Sequence, residues 1–177
     1  FGCLTNNFYF YEKFNIMADS LGTRMKENYE ERFRYYLLRR SYTMIRVDGK
    51  AFSNYTKKLQ RPFDMDFIDD MNSTAIYLCE NIQGAKLAYV QSDEITVVIA
   101  DFDDPDDITT AAWFDYNLQK MCSVSASLAT AKFNQLRLSR ACNPERSLAY
   151  YEIDKFKLAC FDARIYQLPS KIEVINN

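Results

Sequence analysis

Apolar side chains fall into two periods along this chain, and each period predicts an element. The run YTMIRVDG, Tyr42 to Gly49, reads as a short strand that stops at an acid and a glycine. In FDMDFIDDMNSTAIYLCENIQ, Phe67, Met71, Ala75 and Leu78 recur at spacings of three and four, which places them on one face of a helix. AKLAYVQS and ITVVIADF are two further strands, separated by an acidic turn. DDPDDITT is a loop rich in capping residues, and it introduces a long helix through AAWFDYNLQKMCSVSASLATAKFNQL, whose run of Ser and Ala predicts close packing on a sheet. ACFDARIYQL is a last strand. Ahead of all these, a charged helical pattern runs from a cap at Asp19 or Ser20 through Glu31 and Tyr35.

The resulting order is strand, helix, strand, strand, helix, strand. That is the split βαβ, ferredoxin-like arrangement: an α+β fold with an antiparallel sheet and both helices on one face. In it the first strand lies beside the third. The C-terminal end of the first strand therefore meets the turn between the second and third, which predicts Asp48 close to Asp93 and Glu94.

That turn, in AYVQSDEITVVIA, holds no glycine, although short hairpins need positive φ. Two readings fit its acids: an ordinary polar turn, or a cation site. Three carboxylates brought together from distant parts of the chain would repel unless a positive charge lay between them. Oxygen donors without His or Cys suit Mg²⁺, and two such ions can activate a hydroxyl and stabilise a leaving oxygen in phosphoryl transfer. Gly49 after Asp48 is either a plain turn or a place where a phosphate or metal approaches the backbone.

Composition narrows the chemistry. With 177 residues, 48% of them hydrophobic, the chain can bury one sizeable core. The absence of histidine excludes histidine triads, dyads, general bases and H-E-x-x-H sites, and four glycines are too few for a P-loop or a G-x-G-x-x-G cradle. Five scattered cysteines, none in C-x-x-C and three of them in apolar surroundings, read as reduced core thiols of a cytoplasmic protein. No apolar run is long enough to cross a bilayer. From Arg24 to Arg61 there are 11 basic against 4 acidic residues, and from Pro62 to Asp107 there is 1 against 12. This asymmetry suits a basic face for phosphates and an acidic edge for cations, or else two solvated surfaces. Residues 1–16 read as an extraneous or disordered segment before Met17, with residues 17–177 as the catalytic domain.

IRVDGKAFSNY, RPFD, AYVQSDE, QKMCSVSASLATAKFN and FDARIYQLP occur in order and resemble the tRNA-His guanylyltransferase family, closest to its bacterial and phage branch of 3′-to-5′ polymerases. The resemblance implies a polymerase-palm domain that activates an RNA 5′ end with ATP. The 3′-OH of an incoming nucleotide, commonly GTP, then attacks the activated phosphate. Its implied partners are the tRNA 5′ end, GTP and ATP, its cofactor two Mg²⁺ ions, its assembly a homo-tetramer, and its role repair of tRNA 5′ ends.

Carried over by position, the resemblance implies Asp48, Asp93 and Glu94 as catalytic acids, with Asp48, Asp93 and the Gly49 carbonyl on metal. It implies nucleotide contacts at Lys50, Phe52, Ser53, Arg61, Asp64, Ser92 and Lys120, with Phe52 equally readable as core and Lys120 as a solvated helix lysine. Arg61 stands where the family often has Lys, and Ser53 where eukaryotic members often carry His. Arg164 lies in the matching FDAR strand, where a structural role is also open. The family continues past QLP with a Trp-Arg-Gln stretch and a basic segment, so the expectation here is a C-terminally truncated, weakly active or inactive chain. The competing readings are a nucleotide cyclase or diguanylate-cyclase-like palm, whose Gly-Gly is replaced here by Gln91-Ser92, and a non-catalytic RNA-binding module, which needs exposed aromatics on its central strands.

Overall fold

The structure, a computed structural model, describes residues 20–102, 111–142 and 157–177. The chain divides into two units, Phe1–Arg34 and Tyr35–Asn177. In the first, Ser20 caps helix α1 (Leu21–Met25) by accepting from the Thr23 amide, as the sequence predicts. A π turn (Lys26–Glu30) and a 3-10 turn (Glu31–Phe33) continue it, and Arg34 pairs with Glu30 and Glu31.

The second unit holds the sheet, with strands β1 (Tyr42–Gly49), β2 (Ala85–Gln91), β3 (Glu94–Ile99) and β4 (Phe161–Leu168) in the order β2-β3-β1-β4. All neighbours are antiparallel, and β1 lies between β3 and β4. This is the expected α+β arrangement. Ile45 faces Val97 and Val47 faces Ile95, all on one side, and that side carries helices α3 (Met65–Asn81) and α4 (Leu118–Ala141). Phe67, Met71, Ala75 and Leu78 are buried as their spacing predicts. Each large apolar side chain so enclosed contributes roughly 1.5–3 kcal/mol. On α4, buried Ser125 and Ala129 are small enough to bring the helix close to the strands, and the Ser125 hydroxyl is satisfied by the Met121 carbonyl at 2.7 Å.

The long helix begins later than its sequence suggests. Phe114, Asp115 and Tyr116 have φ of 51°, 51° and 55°, outside any right-handed helix, and α4 starts afresh on an Asn117 cap that accepts from the Lys120 amide. Tyr116 is 1% exposed. Its hydroxyl bonds Thr43 and Asp101, and burial first, then the Asp101 carboxylate, push the phenol up to about 12. The DDPDDITT loop lies outside the described residues. Two short helices escaped the pattern: α2 (Phe52–Tyr55), too brief to show a period, and α5 (Lys171–Asn176). Among the described residues no helix is long and apolar enough to cross a membrane.

Of the cysteines, Cys79 and Cys122 are half-buried, with burial pushing each thiol up. Cys142 and Cys160 are exposed, which corrects the expectation for any core reading of those two, and Cys3 lies outside the described residues.

Candidate active site

Alternation on β1 sends Ile45 and Val47 into the core and leaves Arg46 and Asp48 on the face opposite α3 and α4. The register then sets Asp48 directly between Glu94 on β3 and Asp162 on β4. The Gly49 amide donates to the Asp93 carbonyl at 3.2 Å, so Asp48 and Glu94 form a non-hydrogen-bonded pair, the kind in which facing side chains come closest. On the other side, the Lys50 amide donates to the Cys160 carbonyl at 2.8 Å and fixes β4 against the same strand end. Residues 48, 93 and 94, distant in sequence, are thus brought together at one edge, as the topology predicts.

The turn that carries the acids is tight. Gln91 pairs with Glu94, which leaves only Ser92 and Asp93 to reverse the chain, and Ser92 takes φ +57° in place of a glycine. A residue with a Cβ pays roughly 1–2 kcal/mol for that conformation. Ala51, just past Gly49, also sits at φ +57°, where it starts α2 and leaves Lys50 and Ser53 exposed.

Neighbouring acids are matched by arginines. Arg164 Nη2 lies 2.6 Å from Asp48 Oδ2 and its Nε 3.6 Å from Asp162 Oδ1. Arg46 Nε lies 3.1 Å from Glu94 Oε1. Asp162 and Arg46 were not singled out from the sequence; the available signal was the period of two that puts them on the face of Asp48. Lys157, with its ammonium 5.7 Å from the centre of the Tyr55 ring, adds a cation that no local pattern marked.

Other predicted residues sit differently. Phe52 is 2% exposed, stacked on Tyr55 and packed against Phe67, Phe133 and Phe161, so its ring has no free face for a base. It acts instead on Gly49: a Cβ there would stand 2.3 Å from the Phe52 ring, so close packing already requires the glycine. Asp64 caps α3, one oxygen accepting from the Phe67 amide and the other from the Gln60 amide. Its carboxylate is committed to the backbone. Arg61 is exposed in the loop leading to that cap.

Lys120 is not brought to this edge. Thr130 and Asn134 of α4 bond Phe161 and Ala159 at the Asp48 end, whereas Leu118 bonds Tyr35 and Tyr116 bonds Thr43 at the other. Lys120 is therefore roughly 15 Å of helix away, with its ammonium over the Phe114 ring.

The edge fits a particular kind of cation. Among the described residues no group of three or more His, Cys, Asp and Glu side chains encloses a metal position. Asp48 and Asp93 offer two half-buried carboxylates at one end of the sheet, joined through the amide of buried Gly49. Mg²⁺ is commonly bound in that way, with waters and substrate phosphates completing its shell. Glu94 is engaged by Arg46.

A family profile described as tRNAHis guanylyltransferase matches residues 22–169. An uncharacterized protein of Acanthamoeba polyphaga mimivirus is 33% identical over 172 residues, covering 92% of this chain and 58% of the viral protein. A bacterial tRNA(His) guanylyltransferase-like protein in complex with ATP superposes with a TM-score of 0.75 at 43% identity, over 89% of this chain and 61% of that one. The GTP complex gives a TM-score of 0.73 at 44% identity, over 89% and 62%. The chain thus spans about three fifths of the length of these relatives.

Proposed function

Because this chain belongs to the tRNAHis guanylyltransferase family, we propose that its sheet edge carries out nucleotidyl transfer to the 5′ end of a tRNA in a 3′-to-5′ direction. The observation that carries this reading is the junction of Asp48, Gly49 and Asp93. The Gly49 amide is bonded to the Asp93 carbonyl, and both acids lie at the same end of the sheet. Structures of similar proteins with ATP and GTP support a triphosphate as ligand.

In this reading Asp48, Asp93 and the Gly49 carbonyl would hold two Mg²⁺ ions, which when bound favour ionisation of the attacking hydroxyl and offset charge on the leaving phosphate. The chain's own residues do the rest. Ser92, pinned at φ +57°, turns the backbone so that Asp93 follows immediately at the strand end. Lys50 and Ser53 present exposed donors beside that end, and Arg61 and Lys157 extend a basic rim suited to phosphates. The RNA 5′ phosphate first attacks the α-phosphate of ATP, releasing pyrophosphate and leaving an adenylylated 5′ end; the 3′-OH of GTP then attacks that RNA phosphate, displaces AMP and extends the 5′ end. Truncated tRNA ends are the proposed substrate.

The test is to incubate the protein, in excess over RNA so that slow turnover is visible, with Mg²⁺, ATP, labelled GTP and a 5′-truncated tRNA. Label is expected at the RNA 5′ end, and Asp93→Ala should reduce it by about 100-fold or more. Full activity in that variant, or label recovered as a cyclic nucleotide, would overturn the reading.

A further inference from the structure

The two arginines on the open face are held very unequally. Arg46 is fixed from several sides: Nε at 3.1 Å from Glu94, the guanidinium 5.7 Å from the centre of the Tyr166 ring, and Nη2 3.5 Å from the Asn177 side chain, with the side chain 27% exposed. Among the described residues Arg164 pairs with two carboxylates, 2.6 Å to Asp48 and 3.6 Å to Asp162, and its side chain is 60% exposed. An arginine so exposed is easily displaced, whereas one seated as Arg46 is not.

We propose that Arg164 is the counterion that a divalent cation must replace on Asp48, and that the displaced guanidinium then faces the phosphates accompanying that cation. The inference rests on Asp48 as a cation ligand, the reading given above. Arg164 occupies Oδ2 of Asp48, an oxygen that a cation would also use, so the two positive groups compete for one carboxylate. Asp162, two residues away on the same strand face, keeps the released side chain at the edge. A guanidinium fork matches a phosphate as well as it matches a carboxylate, so the exchange passes it from one anion to another without leaving either uncompensated. Arg164 is then a positioning residue, tying cation arrival to phosphate capture.

The experiment titrates the whole chain with Mn²⁺ in the absence of nucleotide, following free Mn²⁺ by electron paramagnetic resonance, and then titrates ATP at saturating Mn²⁺. Arg164→Ala should bind Mn²⁺ roughly three- to fivefold more tightly than the parent and bind ATP more weakly by a similar factor. Arg164→Lys keeps the charge and should stay near the parent for Mn²⁺. Unchanged or weaker Mn²⁺ binding in Arg164→Ala, with binding lost in Asp48→Ala, would overturn the exchange while leaving the functional reading standing. Unchanged ATP affinity in Arg164→Ala would overturn the phosphate half. Mn²⁺ binding that survives Asp48→Ala would overturn the functional reading and this inference together.

Discussion

Two groups of carboxylates in this chain are each matched by a pair of arginines, in opposite surroundings. Between α3 and α4, Asp70 is fully buried and accepts from Arg137 at 3.1 Å and from Arg140 at 2.6 Å, while Arg140 also reaches Asp66 at 2.9 Å. At the sheet edge, Asp48 and Glu94 have side chains 33% exposed and Asp162 57%, matched by Arg164 and Arg46. The same ion-pair chemistry gives a fixed joint in one place and an accessible anionic surface in the other. Burial decides which: a buried carboxylate cannot lose its partners without stranding a charge, and an exposed one can exchange them for water or a cation.

Breaking the buried pair should therefore have the largest effect on stability. Asp70→Ala removes the acceptor for two guanidinium groups and is expected to lower unfolding free energy by about 3 kcal/mol, the lower end for such sites because Arg137 and Arg140 remain partly exposed and can turn to water. Urea unfolding of parent and variant measures it. A loss below about 1 kcal/mol would mean that the two clusters do not differ in the way described.

The sequence made much of this contrast legible, and unevenly. Spacing found β1 to its last residue and α3, whose apolar face follows one period, whereas α4 was marked by the cap-rich loop before it and by its run of Ser and Ala. Order alone placed Asp48 beside the Asp93–Glu94 turn. Periodicity could not separate Asp64, a cap, from Asp48, a surface acid, since both are single acids beside an element end. It also missed the break at Phe114 to Tyr116, where burial of Tyr116 against Thr43 and Asp101 overrides a continuous helical pattern. Lys120 shows a further limit: a motif fixes neither helix direction nor which end of the sheet the helix start meets. The arginines that pair the edge acids became visible only through strand register.

Asp64 sharpens the comparison at intermediate cost. Half-buried, with both oxygens on backbone amides, it should behave as a cap. Asp64→Ala is expected to cost about 1 kcal/mol, and Asp64→Asn, which can still cap, only a small part of that. ATP binding by Asp64→Asn should match the parent. Weaker nucleotide binding at unchanged stability would instead return Asp64 to the nucleotide site.

Asp48→Asn should have the smallest effect on stability and a large one on activity. Two terms oppose each other there. The substitution removes a like-charge repulsion across the close pair with Glu94, which for a facing pair is worth roughly 0.2–1 kcal/mol, and it removes the exposed ion pair with Arg164, worth about as much in the other direction. The net change in unfolding free energy is expected within about 0.5 kcal/mol, with nucleotide addition reduced about 100-fold or more. Because Asn keeps the size and the backbone pairing of β1, neither result can be charged to a disturbed strand. A loss of several kcal/mol would place Asp48 with Asp70 as an internal joint, and the openness of the sheet edge would then have no bearing on its chemistry.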